Sequence, residues 1–406
     1  MRGSVVRALV VHRDYPRDGG PTNGIPRYTH MMAHALAAAG HPASILTSGR
    51  PGAVQDGPVT VHGVDIAPPR LRGWWRADRV VPASPWWASR AFARVLRAGL
   101  ARDLDIVEFA EFLGEGFCYA RSRPRLPVVV HVHHPRWRVA LFYGEPRTRR
   151  LWLIHRLEMA ALRAADGIRA PSRAFLDLVR GWVNLDGKVA RVIPYPLDLT
   201  RFCPPTAQSP ADYLLFASRI EHRKGADLLP QVVAELRRRG VGLEVRVAGG
   251  PGRIPEFADE VSARLRALPG VKLLGPVGQR ELVPLLQGAL AALVPSRDEN
   301  FPFSCAEPIA CGTPVIAGRV GGIPEMVTDG VQGILTAPQD VRALADAVCR
   351  LHADRDLRRE LGANARRQAE RLLSPERVAA DTINFYAEVI DRWRQGSGRR
   401  SAAHRP

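Results

Sequence analysis

The chain has 406 residues, 46% of them apolar and 24% charged, with a formal net charge of +18. That length suits roughly two to three domains with cores of their own, and no apolar run reaches the roughly 18 residues that a membrane span needs. The opening MRGSVVRALVVH is apolar over too short a stretch for a signal peptide and has no small-residue cleavage site, so it reads as the first strand of a cytoplasmic protein. Cys118, Cys203, Cys305, Cys311 and Cys349 lack a C-x-x-C spacing, which argues for reduced, packed thiols rather than disulfides or a zinc site. Only Lys188, Lys224 and Lys272 among the 58 basic residues are lysine. The arginine skew reflects composition rather than a partner, and it makes each lysine more informative.

Short β-branched runs alternate with amphipathic helical stretches almost throughout. In the first half VVRALVV, ASILT, VTVHGVDIA, DIVEF, VVVHVHH, GIRAPS and VARVIP read as strands, with helical patterns such as RYTHMMAHALAAAG between them. The second half repeats the scheme with DYLLFASR, GLEVRVAGG, VKLLGPV, AALVPS and TPVIAG. Such alternation predicts mostly parallel sheets covered by helices on both faces. Residues 193–213 hold five prolines and no helical pattern, the composition of a linker. The expectation is therefore two α/β domains, residues 1–196 and 197–376, flanking a cleft. Ser374 and Pro375 cap a long last helix, 377–395, and residues 396–406 are expected as a disordered tail.

Ligands of open α/β sheets bind outside the carboxyl ends of strands, so the loops that follow strands carry the interest. GGPTNGIPRYTH leads from the first strand into a helix and would aim main-chain N–H groups at one point, which suits a phosphate; a plain flexible loop fits equally, since no G-x-G-x-x-G is present. In FASRIEHRKGADLL, Arg219 and Lys224 follow a strand and precede a helix. Fixed cations there favour a diphosphate that gains charge as it leaves. A solvated basic turn is the bland alternative, against which a lysine in an arginine-rich chain speaks for a compact point charge. In PSRDENFPFSCAEP, Glu299 follows a strand end, NFPF offers main-chain donors, and Glu307 lies about one turn into a helix that starts near Ser304. Carboxylates pair well with sugar hydroxyls, although a glutamate at a helix start also serves the macrodipole alone. In VVVHVHHPRW, alternation sends His131 and His133 to one face and His134 to the other, which speaks against zinc and for a single histidine facing the cleft.

Residues 5 to about 393 resemble the retaining glycosyltransferases of family 4, which have the GT-B fold of two Rossmann-like, doubly wound domains facing a deep interdomain cleft. PSRDENFPFSCAEPIACGTPVIA followed by GGIPEMV looks like that family's Glu-x7-Glu signature. SRIEHRKG is similar to its GR-x4-KG pair, with Ser218 where glycine is usual. NGIPRYTHMMAHALAAAGH is similar to its GGIERH stretch, with Gly24 as the second glycine and Asn23 in place of the first, and PVVVHVHH to its strand ending T-x-H. By that resemblance Glu299 contacts the transferred sugar, Glu307 the nucleotide ribose, and Arg219 with Lys224 the diphosphate. The amides of Phe301 to Phe303, through Pro302, hold sugar and phosphate oxygens, with Asn300 in the same nucleotide-sugar site. Gly24 lies on the donor side, His133 lies near the reacting sugar, and the last helix returns to the first domain. The family needs no metal. DLD at 103–105 looks like an Asp-x-Asp metal motif, but it leads straight into the strand IVEF and reads as structural.

The resemblance implies a hexosyltransferase that moves a hexose from a nucleoside diphosphate sugar, taken as a UDP-sugar, to an acceptor hydroxyl with retention and without cofactor or metal. A covalent intermediate would need a carboxylate nucleophile beneath the ring. The motif glutamates are assigned elsewhere, so the departing phosphate is expected to take the acceptor's proton while Arg219, Lys224 and the helix end after Phe303 steady the charge. Residues 70–102 carry four of the eight tryptophans and eight arginines against one aspartate. They suit an anionic membrane surface at the inner face, with a lipid-linked acceptor, or tryptophans packed under a loop. A soluble small-molecule acceptor and a non-catalytic nucleotide-sugar-binding role both stay open. Three lysines, one in the diphosphate loop, argue against a pyridoxal-phosphate phosphorylase. Scattered arginines without a recognition motif argue against a nucleic-acid partner.

Overall fold

The computed structural model describes residues 5–15, 24–67, 83–206 and 213–402. The chain falls into two units, Met1–Pro196 with Pro375–Pro406, and Leu197–Ser374. In chain order the first contains β1 (Ala8–Val11), α1 (Gly24–Ala38), β2 (Ala43–Ser48), β3 (Gly52–Asp56), β4 (Val59–Val64), α2 (Ala83–Val95), β5 (Ile106–Ala110), α3 (Phe117–Ala120), β6 (Val128–His131), α4 (Arg136–Phe142), α5 (Arg149–Ala164), β7 (Gly167–Ala170), α6 (Arg173–Trp182) and β8 (Val189–Val192). Its sheet runs β3-β4-β2-β1-β5-β6-β7-β8, parallel except that β3 pairs antiparallel with β4. β1, β6 and β7 are buried at every residue. β1 accordingly reads as an unbroken apolar run instead of an alternating one, as a strand covered on both faces does, while His131 and Arg169 interrupt the runs of β6 and β7. The edge strand β3, GAVQD, is mostly exposed and carries no such run; its pairing with β4 supplies what its sequence lacks, and the sequence reading missed it.

The second unit contains β9 (Tyr213–Ala217), α7 (Leu229–Arg238), β10 (Glu244–Ala248), α8 (Pro255–Arg266), β11 (Val271–Gly275), α9 (Gln279–Gln287), β12 (Ala289–Val294), α10 (Phe303–Ala310), β13 (Val315–Gly318), α11 (Ile323–Met326), β14 (Gly333–Thr336), α12 (Val341–Ala353) and α13 (Arg355–Leu373). Its sheet order is β11-β10-β9-β12-β13-β14, all parallel. Counted from its own first strand this is 3-2-1-4-5-6, the doubly wound order of dinucleotide-binding sheets. The strand order reverses between β9 and β12, and ligands of such sheets sit beyond the carboxyl ends of those two strands. Phe216, Leu293 and Val348 belong to this unit's core, and Phe92, Phe109 and Phe175 to that of the first.

Helix α14 (Pro375–Ala402) belongs to the first unit, packing on α1 and β8. It corrects one expectation: residues 396–402, read as disordered tail, continue the helix. Arginine, serine and alanine there tolerate helical geometry despite Gly396 and Gly398, and no proline follows until Pro406. Of the aromatic, basic stretch 70–102, residues 70–82 lie outside the described residues. Trp86 packs on Phe117, and Arg90 lies over Trp87. Among the described residues no helix is long and apolar enough to cross a membrane.

Candidate functional site

In the second unit the chain leaves β9 at Ala217 and enters a 3-10 turn, His222–Lys224, that closes at Gly225 with φ 69°. Only glycine fits there, because a Cβ would lie 2.0 Å from the Pro295 carbonyl oxygen. That close approach seats the loop after β9 against the loop after β12, at the reversal point of the sheet. Lys224 Nζ donates to Glu299 Oε1 at 2.6 Å, and Ser296 Oγ donates to the same oxygen at 2.8 Å. Arg223 Nη1 lies 3.3 Å from Glu299 Oε2 and donates to the Asp298 carbonyl at 2.9 Å. Glu299 is 2% exposed and Lys224 12%. Gly321, with φ 50°, backs the acid from the other side, where a Cβ would fall 1.7 Å from the Glu299 carbonyl oxygen.

Burial alone would raise the Glu299 carboxyl, but the Lys224 and Arg223 charges beside it hold it below its ordinary value, so it is an anion. Burial pulls Lys224 down from its ordinary value against the attraction of Glu299. Glu221, 3% exposed, is paired with Arg219 at 3.2 Å and with Arg223 at 3.3 Å. The cluster thus sets Arg219, Arg223 and Lys224 against Glu221 and Glu299, an excess of one positive charge.

The expected residues come together unequally. Lys224 and Glu299 touch, whereas the Arg219 side chain is 53% exposed and pairs with Glu221. Arg223, which the sequence reading passed over, takes the inner place; its signal was adjacency to Lys224 in a turn tight enough to turn both inward. Glu307 is 4% exposed in α10. The expectation for the amides of Phe301 to Phe303 needs correction. Pro302 has no N–H, and the Phe301 N–H donates to Asn300 Oδ1 at 2.5 Å. Inside α10 the first hydrogen bonds come from Cys305 and Ala306, both to the Pro302 carbonyl. Ser304 Oγ is buried with no hydrogen-bond partner.

In the first unit Gly24 opens α1, while Asn23 and the rest of the loop before it lie outside the described residues. Strand β6 ends at His131, so His133 and His134 sit on the loop beyond it and not on the strand as expected. Glu111, just past β5, fixes that loop by accepting the His133 amide at 2.7 Å and the His134 amide at 2.5 Å. The His133 ring, 3% exposed, stacks on His131 at 4.1 Å, and its Nδ1 lies 2.8 Å from the Tyr195 hydroxyl. His134 turns instead to Phe175. Burial drives His131 and His133 well below the ordinary imidazole value, so both are neutral at pH 7. Burial also pushes Glu111 up to about 8 and Glu158, which accepts the Leu113 and Arg136 amides, up to about 7. Beneath them Glu108 accepts from Tyr28 at 2.6 Å and Tyr386 at 2.8 Å, with Arg169 Nη1 3.7 Å away. Asp105 of the DLD stretch accepts the Arg7 amide at 2.8 Å, a structural use.

The family described as Glycosyl transferases group 1 matches residues 205–368, and that described as Glycosyltransferase Family 4 matches residues 22–201. A D-inositol 3-phosphate glycosyltransferase of Xylanimonas cellulosilytica is 32% identical, over 96% of this chain and 98% of that protein. Among solved structures, sucrose-phosphate synthase from Thermosynechococcus elongatus superposes with a TM-score of 0.78 at 23% identity, covering 95% of this chain and 99% of that one. HepE of Anabaena, in complex with UDP-glucose, superposes with a TM-score of 0.69 at 16% identity, covering 93% and 99%. At these identities the two structures speak to fold alone.

Proposed function

The chain belongs to the group 1 glycosyl transferases, glycosyltransferase family 4, and on that premise we propose that it moves a hexose from a UDP-sugar to an acceptor hydroxyl with retention at the anomeric carbon. The observation that carries this reading is the Arg223–Lys224–Glu299 cluster at the β9/β12 reversal point of a doubly wound sheet. A pyrophosphate brings the negative charge that this net-positive cluster lacks, and the developing charge on departure strengthens the pairing. In this reading Lys224 and Arg223 hold the diphosphate, with Arg219 at its outer side. Glu299 keeps both cations in place and takes up a sugar hydroxyl, Glu307 takes the ribose, and the first turn of α10 completes the phosphate contacts.

The bond from the anomeric carbon to the diphosphate oxygen breaks as the bond to the acceptor oxygen forms on the same face. The acceptor's proton passes to the departing phosphate oxygen. No metal and no covalent enzyme intermediate enters this scheme. The family resemblance assigns His133, neutral and hydrogen-bonded to Tyr195, to the reacting sugar. The named activity of the Xylanimonas relative makes an inositol phosphate the first acceptor to try, with a lipid-linked acceptor as the contrast.

A panel of nucleotide sugars scored for thermal stabilisation and for nucleotide release tests the donor. UDP-sugars should stabilise the protein and release UDP in the presence of acceptor; stabilisation by a guanosine or adenosine diphosphate sugar alone would replace the uridine assignment. Lys224→Ala should cut turnover by about 100-fold, about 2.7 kcal/mol of transition-state stabilisation, while weakening donor binding far less. Equal losses in both would remove the leaving-group role.

A further inference from the structure

Among the described residues, the group of three His, Cys, Asp or Glu side chains whose donor atoms lie within 4.8 Å of one another is His30, His34 and Asp56. All three belong to the first unit and have no part in the transfer reaction proposed above. His30 and His34 are four residues apart on α1, so their rings project from one face, with centroids 4.2 Å apart. Asp56 ends the edge strand β3, which delivers its carboxylate between them. His30 Nδ1 lies 3.2 Å and His34 Nε2 3.3 Å from Asp56 Oδ2. A zinc ion with bonds of about 2.0 Å in tetrahedral array sets its ligand atoms about 3.3 Å apart. The imidazole nitrogens thus already stand from the carboxylate oxygen at the length of a tetrahedral edge.

Hydrogen bonding alone accounts poorly for this geometry. Tyr15, buried at the end of the segment after β1, places its hydroxyl 2.5 Å from the same Asp56 Oδ2 and 2.8 Å from His30 Nδ1. The Tyr15 hydroxyl therefore takes one acceptor position of Asp56 Oδ2, and both imidazole nitrogens still stand within 3.3 Å of that oxygen. The nitrogen left over is His34 Nε2, which is buried and makes no hydrogen bond of proper geometry. Its neighbours supply a carboxylate and a second imidazole, the surroundings of a cation.

We propose that His30, His34 and Asp56 bind a divalent transition-metal ion of the zinc class, with Tyr15 holding the Asp56 carboxylate as an outer partner. Two imidazole nitrogens and one carboxylate suit zinc, cobalt, nickel or copper; calcium and magnesium prefer sites built from oxygen. Side-chain exposures of 32%, 29% and 37% for His30, His34 and Asp56 let the ion load from solvent and leave a position for water. A hydrogen-bonded ligand carboxylate is the usual outer arrangement of such sites. Bound there, the ion ties the middle of α1 to β3 and, through Tyr15, to the chain leaving β1. Its effect is to fasten α1, β3 and the residues up to Tyr15 to one another, and no bond-making step passes through it.

The test uses the full chain without an affinity tag, stripped by chelator and titrated with zinc chloride and cobalt(II) chloride. The expected result is one tight equivalent, the visible absorption of four-coordinate cobalt, and a raised thermal midpoint. His34→Ala and Asp56→Asn should each weaken binding roughly 10- to 100-fold or more, whereas His352→Ala, on α12, should bind as the parent does. His34→Gln, which keeps the volume and polarity of the site, covers a failure of the alanine variant to fold. Absence of binding by the parent, or equal affinity and stoichiometry in a His30→Ala/His34→Ala protein, would overturn the assignment and leave an ordinary hydrogen-bonded ion pair.

Discussion

In the first unit Arg169, with no exposed surface, faces Glu108 mostly through phenol groups: it donates to the Tyr28 hydroxyl at 2.7 Å and to the Pro194 carbonyl at 3.2 Å. In the second, Lys224 and Arg223 meet Glu299 directly, at 2.6 and 3.3 Å, from loops beyond the carboxyl ends of the two central strands. Both regions bury charge, but the partners differ in what can replace them. Tyr28 on α1, Glu108 on β5, Arg169 on β7 and Tyr386 on α14 come from distant parts of the chain, and each is fully buried. Such a network fastens elements together and admits no substitute. Lys224 and Arg223 keep 12% and 13% of their side-chain surface, so solvent reaches both cations beside the carboxylate. Buried charge in one unit is a support; in the other it is, on the proposed reading, a clamp for a ligand.

Removing one partner separates the two kinds most sharply. Arg169→Met leaves Glu108 buried with two hydroxyl donors and no cation, a loss of about 3–5 kcal/mol for a broken buried pair. In a unit of this size that lowers the thermal midpoint by roughly 10 °C. Scanning calorimetry checks it, and a loss below about 1 kcal/mol would mean that the phenols alone satisfy Glu108. For the clamp the equivalent test is geometric. Gly321→Ala meets the Glu299 carbonyl oxygen and must move the acid loop, so transfer should fall about 100-fold, about 2.7 kcal/mol. Gly330→Ala is the control: its φ is 73°, but nothing lies within 4 Å of the added carbon. It carries backbone strain of about 1 kcal/mol and should leave transfer intact.

The clamp was the more legible of the two because its parts are nearly contiguous. Lys224, Gly225, Glu299 and Glu307 stand on two short stretches that follow strands, and the 3-2-1-4-5-6 order brings those stretches together. Which arginine turns inward was not legible, since SRIEHRKG offers two and only the 3-10 turn at His222–Lys224 decides for Arg223. The support was almost invisible. Glu108 and Arg169 each sit inside a four- or five-residue strand buried along its length, and a charge within such a run does announce a buried partner. The partner's identity depends on strand order, which periodicity does not carry. β3 and β14 were missed for a related reason: GAVQD and GILT are short edge strands whose pairing comes from their neighbours.

Acid and base should pull the two regions apart by a smaller amount. Glu158 is raised from 4.5 to about 7 by burial, so the folded chain keeps a proton that the unfolded chain has shed. Its contribution is neutral below the unfolded value, falls as pH rises towards the folded value, and then levels off. Glu299 is shifted the other way, so its contribution is present above the unfolded value and is lost as pH falls through the folded one. Glu158→Gln retains an oxygen for the Leu113 and Arg136 amides, both held by Oε1. It should gain on the order of 1 kcal/mol over the parent at about pH 8 and nothing at about pH 4. Denaturation midpoints at the two pH values measure it; an equal shift at both would show a packing effect instead of a titration.

The smallest effect concerns the one proposed reaction residue in the first unit. Tyr195→Phe removes the hydroxyl beside His133 Nδ1 and preserves the ring that packs against Tyr28 at 5.1 Å and His133 at 5.6 Å. A single neutral hydrogen bond is worth about 1 kcal/mol, which corresponds to about a fivefold change in rate. If the bond serves to hold the imidazole in one tautomer and orientation, kcat should fall by that factor while the donor KM and the thermal midpoint stay close to the parent's. A matching loss of stability with kcat unchanged would assign Tyr195 to the support. His133 would then be one more buried ring of the stack it forms with His131, and the transfer chemistry would rest on the second unit's cluster.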